Sequence, residues 1–76
     1  MKEILESIIL NLVDQKEAVN IEEIIDGDNM VYKVKVASDD MGRVIGRQGR
    51  VAKAIRTLIK SLGSKDKKRI TIEFLD

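Results

Sequence analysis

Residues 42–50 read GRVIGRQGR, and this stretch decides the fold. It contains two glycines, Gly46 and Gly49, in the form Gly-x-x-Gly, between two segments whose apolar residues have helical spacing. Glycine accepts a positive φ and has no side chain that would keep another backbone away. A helix that begins after the loop points free amides and the positive end of its dipole toward it. The stretch therefore predicts a corner between two helices that a sugar-phosphate chain can approach closely.

Polar side chains surround this loop. Arg47 and Gln48 occupy its tip, and both are expected to point outward because neither has an apolar reason to turn inward. Arg43 and Arg50 flank the loop on either side. Cationic and donor side chains around bare backbone predict a clamp for phosphate groups.

Other phosphate-binding motifs do not fit the same stretch. A P-loop would end in Gly-Lys-Ser/Thr, whereas Gly49 is followed by Arg50 and Val51. The dinucleotide fingerprint requires Gly-x-Gly-x-x-Gly after a strand, a spacing that the glycines of this stretch do not have. A lone Gly-x-x-Gly is a weak signal and is often a plain corner between helices, so its context must decide.

Working outward toward the N-terminus, the pattern predicts one helix and a hairpin. Apolar periodicity predicts a helix from Glu3 to Val13. β-Branched residues predict one strand from Val19 to Ile25, and alternation predicts a second from Met30 to Ala37. The turn residues 26–29 would join these strands.

On the other side of the hairpin, Ser38 to Asp40 offers capping side chains for a short helical turn, roughly Met41 to Ile45. A second long helix begins near Arg50, and Gly63 would end it. The remaining segments are a charged connection, 64–68, and a last strand, Arg69 to Leu75. The order α-β-β-α-α-β predicts an α+β domain of residues 1–76, in which helices pack on one face of a three-stranded sheet.

Charge is divided unevenly along the chain. The net charge is +1, but residues 1–40 hold four basic and ten acidic residues, whereas residues 41–76 hold ten basic and three acidic ones. From Met41 to Lys65 there are seven basic residues and no acidic one. Such a segment is typical of a site for a polyanion, although a solvated helix face would look the same by charge alone.

In this context the segment VIGRQGR resembles the Ile-Gly-x-x-Gly signature of KH domains, whose loop clamps about four nucleotides of single-stranded nucleic acid. The residues that follow, Val51, Ala54 and Ile55, and the flanking strands also fit. The helix and strand before the β-α-α-β core resemble the prokaryotic type II arrangement. The whole chain is similar to the KhpA family of small bacterial single-KH proteins.

The resemblance implies binding of single-stranded RNA with low sequence specificity. Val44 and Ile45 would help floor a groove for bases, although core packing is the better expectation for at least one of them. Lys53, Arg56 and Lys60 lie opposite the apolar stripe of the second long helix, and Lys53 is the nearest of the three to the loop. The expected RNA-binding residues are Arg43, Val44, Ile45, Gly46, Arg47, Gln48, Gly49, Arg50 and Lys53. A solvated surface explains the remaining cations better, namely Arg56, Lys60, Lys65, Lys67, Lys68 and Arg69.

The resemblance also implies a homodimer, or a heteromer with a second KH-domain protein, and a role in post-transcriptional regulation or as an RNA chaperone. The alternative is a protein-interaction module with little RNA binding of its own. The only aromatic residues, Tyr32 and Phe74, are in phase with the core faces of strands, which argues against modules that stack bases on aromatic platforms.

An enzyme is not expected. The sequence has no histidine and no cysteine, which excludes nucleophile–His catalysis and a zinc ribbon. Capping and turn formation explain the paired carboxylates at 26/28 and 39/40. We expect no cofactor, no metal ion and no membrane segment, and a cytoplasmic location.

Overall fold

The computed structural model describes residues 1–63 and 68–75. The predicted order α-β-β-α-α-β is confirmed, with short 3-10 turns at Lys16–Ala18, Ser38–Asp40 and Arg47–Gly49. The helices and strands are α1 (Lys2–Leu12), β1 (Asn20–Asp26), β2 (Asn29–Lys35), α2 (Met41–Ile45), α3 (Arg50–Gly63) and β3 (Arg69–Leu75).

The three strands form one mixed sheet in the order β1-β2-β3. β1 and β2 are an antiparallel hairpin, with Ile21 opposite Val34. β2 and β3 are parallel, with Val34 opposite Phe74. Parallel strands cannot be joined by a tight turn, so the chain must cross over a face of the sheet between them. The crossover contains α2 and α3, and it therefore carries the Gly-x-x-Gly loop.

The predicted alternation of the second strand is confirmed by the burial of its residues. Tyr32 and Val34 of β2 are fully buried, whereas Lys35 is exposed. Among the described residues, Lys35, Thr71 and Glu73 on the opposite face are exposed, which agrees with the predicted packing of helices on one face of the sheet. The buried apolar core consists of Leu5, Ile9, Val13, Ile21, Tyr32, Val34, Val36, Val44, Ala52, Ile55, Ile59, Ile70 and Ile72.

Some details differ from the predicted pattern. Ile4 and Leu58 belong to the apolar stripes of their helices, yet both are about half exposed, at 46% and 48%. Gly63 remains inside α3 as its last residue, packed so closely against Ile70 that a β-carbon would overlap the Ile70 side chain. Its role is close packing of helix on strand. Most of the predicted connection, 64–67, lies outside the described residues.

None of the helices found in residues 1–63 and 68–75 is both long and apolar enough to cross a lipid bilayer.

Candidate nucleic-acid interface

The loop between α2 and α3 is built from two successive backbone reversals. Gly46 ends α2 with φ 77° and ψ 175°, and its amide donates to the Gly42 carbonyl at 2.8 Å. The chain then makes the 3-10 turn at Arg47–Gly49, in which the Gly49 amide donates to the Gly46 carbonyl at 3.2 Å. α3 begins at Arg50 and runs for 14 residues, so its N-terminal amides face the loop.

The two loop glycines are required for different reasons. Both have a positive φ, 77° at Gly46 and 75° at Gly49, which costs any other L-residue roughly 1–2 kcal/mol. At Gly46 a β-carbon would also overlap the Val51 side chain and lie 2.9 Å from the Val51 amide nitrogen. At Gly49 a β-carbon would meet no heavy atom within 4 Å. Gly46 therefore keeps the loop against α3, whereas Gly49 leaves open space beside the backbone.

Gln48 has φ 58° and ψ 25°, which makes it the one non-glycine residue with positive φ in the described part of the chain. Such a conformation is held in place by its surroundings and is common at ligand-binding sites. Its side chain is exposed at the tip of the loop, as predicted.

Arg47, Arg50 and Lys53 are exposed around the loop. None of these cations forms an ion pair or a side-chain hydrogen bond with a residue that the structure describes. Arg50 and Lys53 lie in the first turn of α3, beside its positive dipole end. Three cations that have no ion-pair partner among the described residues therefore lie in the loop and the first turn of α3.

Arg43 differs from these cations because carboxylates already hold it. Its Nη2 lies 2.9 Å from Oδ2 of Asp14, and its Nε lies 3.5 Å from Oδ1 of Asp40. The Arg43 side chain is 55% exposed, so it lies at the surface but is directed toward the connection that follows α1.

Asp40 is the one buried charged residue among those described, with 2% of its surface exposed. It precedes α2 as predicted, but its side chain does not cap that helix. Its Oδ1 accepts the Asp14 amide at 3.1 Å, and its Oδ2 accepts the Gln15 amide at 2.9 Å. We call Asp14, Gln15, Asp40 and Arg43 the corner cluster.

The corner cluster favours a charged Asp40. Hydrogen bonds from the Gln15 and Asp14 amides lower the pKa of the Asp40 carboxyl, and Arg43 and Lys16 act in the same direction. Burial alone would raise that pKa, and the hydrogen bonds outweigh it. Sequence reasoning missed this cluster because Asp40 and its amide partners lie far apart in the chain. The only sequence signal was an aspartate directly before the acid-free segment.

The two apolar residues before the loop, Val44 and Ile45, differ in burial. Val44 is fully buried in the core, as the sequence suggests for at least one of the pair. Ile45 is partly exposed and is the one of the two whose surface a base could reach.

The remaining cations lie farther from the loop along the chain. The Arg56 guanidinium lies 5.3 Å from the centre of the Phe74 ring, and its Nε donates to the Ile72 carbonyl at 3.3 Å. These two contacts hold the Arg56 side chain against β3. Lys60, Lys68 and Arg69 are exposed, and Lys65 and Lys67 lie outside the described residues.

The aromatic residues do not form a stacking platform at the loop. Tyr32 is fully buried, as predicted, and its hydroxyl donates to Oε2 of Glu23 at 2.7 Å. Burial and this hydrogen bond raise the pKa of the Tyr32 phenol well above its usual range. Phe74 is partly buried beneath Arg56.

A metal centre is not visible: across residues 1–63 and 68–75, no three Asp or Glu side chains come together as metal ligands would.

Comparison with known proteins agrees with the geometry of this site. The sequence profile of the family described as "KhpA/KhpB, KH domain" matches residues 2–74. The chain is 47% identical to RNA-binding protein KhpA of Listeria monocytogenes over 76 residues, all of both chains. It is 43% identical over 75 residues to RNA-binding protein KhpA of Clostridium perfringens, covering 99% of this chain and 100% of the relative.

A relative of lower identity is also matched over nearly its whole length. The chain is 41% identical over 76 residues to RNA-binding protein KhpA of Chlamydia trachomatis, covering 100% of this chain and 97% of the relative. The matched regions cover 97–100% of each chain, so they include the positions of the loop and of both flanking helices. With its α-β-β-α-α-β fold and its Gly-x-x-Gly corner, this chain belongs to the KhpA/KhpB family of KH domains.

Proposed function

We propose that this protein binds single-stranded RNA across the Gly46–Gly49 loop, with little sequence specificity. The observation that carries the proposal is the exposed corner at the start of α3, where unpaired cations surround backbone with open space beside Gly49. The relatives are named RNA-binding proteins, which supports the same ligand. The proposal assigns binding and no catalysis.

In the proposed complex, the phosphate backbone lies against the loop and the N-terminal amides of α3. Arg47, Arg50 and Lys53 supply positive charge, and Gln48 supplies hydrogen bonds. The exposed part of Ile45 contacts bases, while Val44 supports it from the core. Contacts to phosphate carry no sequence information, which explains low specificity. With so few cationic contacts, the affinity should be on the order of micromolar and fall steeply with salt.

The decisive experiment reverses the charge at the loop tip. We expect Arg47→Asp combined with Gln48→Asp to lower the affinity for a labelled single-stranded oligonucleotide at least about tenfold, because both side chains would then repel phosphate. Fluorescence anisotropy at low salt measures the affinity, and far-UV circular dichroism checks the fold.

A matched control makes the same change in net charge elsewhere. Lys35 is exposed on the open face of the sheet, and Ser7 is exposed on α1. The variant Lys35→Asp with Ser7→Asp should lose much less affinity than the loop variant. Equal losses of affinity in the two variants would show a general effect of charge and would contradict the proposed binding site. Unchanged affinity in the loop variant would favour the alternative, a protein-interaction module.

We further propose that a single domain functions within a homodimer, or within a heteromer with a second KH-domain protein. Linking two weak sites raises the overall affinity without any new contact. Light scattering with and without RNA would measure the assembly. Post-transcriptional regulation or RNA chaperoning, the cytoplasmic location and the single domain of residues 1–76 stay predictions from the sequence.

A further inference from the structure

The corner cluster joins two parts of the chain at the base of the RNA loop. Asp14 and Gln15 follow α1, whereas Asp40 directly precedes α2. The Asp40 carboxylate accepts both amides, one on each oxygen, at 3.1 and 2.9 Å. Arg43, one turn into α2, contacts carboxylates from both segments. The cluster therefore attaches α2 to the segment that follows α1 at two places, the residue before the helix and Arg43 within it.

α2 has only five residues and ends at Gly46, where the loop begins. A helix this short has little stability of its own, so its tertiary contacts determine its position. Val44 is buried in the core and Met41 and Ile45 pack against it, while the corner cluster provides the polar contact of α2. A change in the cluster can therefore tilt α2 and move the loop without unfolding the sheet.

We propose that Asp40 and Arg43 are positioning residues that set the placement of the Gly46–Gly49 loop for RNA, and that Arg43 does not itself contact phosphate. This inference rests on the proposed RNA binding and revises the predicted role of one site residue.

The charges of the cluster explain why Arg43 is a poor phosphate ligand. Its Nη2 and its Nε already face the carboxylates of Asp14 and Asp40. These three side chains together carry one net negative charge, so a phosphate approaching Arg43 would meet two carboxylates as well. Asp40 in turn is held as an anion by the backbone amides that it accepts. Arg47, in contrast, has no such partner among the residues that the structure describes.

The first test compares neighbouring aspartates. Asp39→Asn and Asp40→Asn change the net charge equally, but Asp39 is exposed and forms no ion pair with a described residue. Simple electrostatics predicts that either change raises RNA affinity slightly. Positioning predicts different outcomes for the two variants. Asp39→Asn should bind RNA as tightly as the wild type or more tightly, and Asp40→Asn should bind about fivefold more weakly. In Asp40→Asn, the donor NH2 group would replace one of the two oxygens and face a backbone N–H.

Affinity is measured well below the unfolding temperature, together with amide chemical shifts of the RNA-free protein. A purely stabilising role would leave the affinity of the folded protein and the amide shifts of Gly46 to Arg50 as they are in the wild type. A positioning role requires that Asp40→Asn change both the RNA affinity and the amide shifts of Gly46 to Arg50. It also requires that Asp39→Asn leave those amide shifts as they are in the wild type. If the two variants bind RNA equally well, the inference is wrong.

The second test does not depend on whether Asp40→Asn folds. Loss of a phosphate contact lowers the slope of log affinity against log salt by about one. We expect Arg47→Gln to show that decrease. Arg43→Gln should weaken binding about threefold while keeping the wild-type slope, since it removes an internal ion pair. A slope reduced equally in both variants would make Arg43 a phosphate ligand and overturn the inference.

Failure of the inference can be distinguished from failure of the proposed function. If the wild-type protein binds no RNA, or if Arg47→Gln changes nothing, the proposed function is wrong. The amide shifts of the RNA-free variants would still show whether the cluster positions the loop. If Arg47→Gln behaves as expected and Arg43→Gln loses slope with it, only the inference fails.

Discussion

Arg43 and Arg47 belong to the same basic segment, on either side of the chain reversal at Gly46, and their surroundings differ. Arg43 reaches back to the carboxylates of Asp14 and Asp40, at 2.9 and 3.5 Å. Arg47 is exposed at the loop, with no ion pair to any residue in the described ranges. One arginine is therefore held by internal ion pairs, whereas the other is exposed at the loop.

This difference shows what a charge count can and cannot establish. Counting charges identifies the basic segment but treats its members as equivalent. The carboxylates that engage Arg43 come from two places: Asp40 lies just outside the acid-free segment, and Asp14 lies in the acidic first half. Only folding brings them together, and it then distinguishes an arginine held by carboxylates from cations that have no ion pair with a described residue.

The largest effect on stability is expected from a substitution in the backbone between Arg43 and Arg47. Gly46→Ala should lower the free energy of unfolding by about 3 kcal/mol, because the positive φ and the overlap with Val51 both oppose a side chain. Urea denaturation followed by circular dichroism measures this loss.

Gly49→Ala is the matched control for that prediction. It has the same kind of φ but open space around a β-carbon, so it should cost only about 1 kcal/mol. Similar losses at both positions would show that the loop is not held against α3 as described.

An intermediate effect is expected when acid weakens the corner cluster. The pKa of Asp40 is lowered on folding, so its stabilising contribution is complete above its unfolded pKa and is lost as the pH falls through the folded value. The charged groups around it are Arg43, Lys16 and the carboxylate of Asp14. The wild type should therefore have a higher Tm than Asp40→Asn at neutral pH, and this gap should close as acid is added.

Thermal unfolding at a series of pH values measures that gap, with Asp39→Asn as the control. Because Asp39 is exposed and has no ion pair with a described residue, its variant should differ from the wild type by a small and nearly constant amount. A gap for Asp40→Asn that does not vary with pH would contradict the account of the cluster.

The smallest effect is expected on RNA affinity, and it tests how far the proposed RNA-binding surface extends along α3. Lys53 lies in the first turn of the helix, whereas Lys60 lies about 10 Å farther along its axis, near the Debye length at ordinary salt. Lys53→Gln should weaken RNA binding about threefold, and Lys60→Gln should have hardly any effect. Anisotropy titrations of both variants give the comparison. Equal losses would show that the RNA path follows the whole helix.

Much of the fold could be predicted because its signals are local. The apolar alternation of β2 and the helical spacing of α3 depend on neighbouring residues, and α2 and β3 have the predicted bounds. Ile4 and Leu58 fit their stripes by spacing, yet both are about half exposed, because spacing does not show how far the packed face of a helix extends. The turn chemistry at Asp40 predicted a cap, and tertiary contact with Gln15 replaced it.

The sequence by itself determined the order of elements, the loop and the positive charge around it. Each follows from residues close together in the chain, through periodicity, glycine φ and composition. Only the tertiary structure decided which cation is free, which of Val44 and Ile45 reaches the surface, and what holds α2 in place. Those outcomes depend on burial and on hydrogen bonds between residues far apart in the chain, and no local pattern records which distant groups will meet.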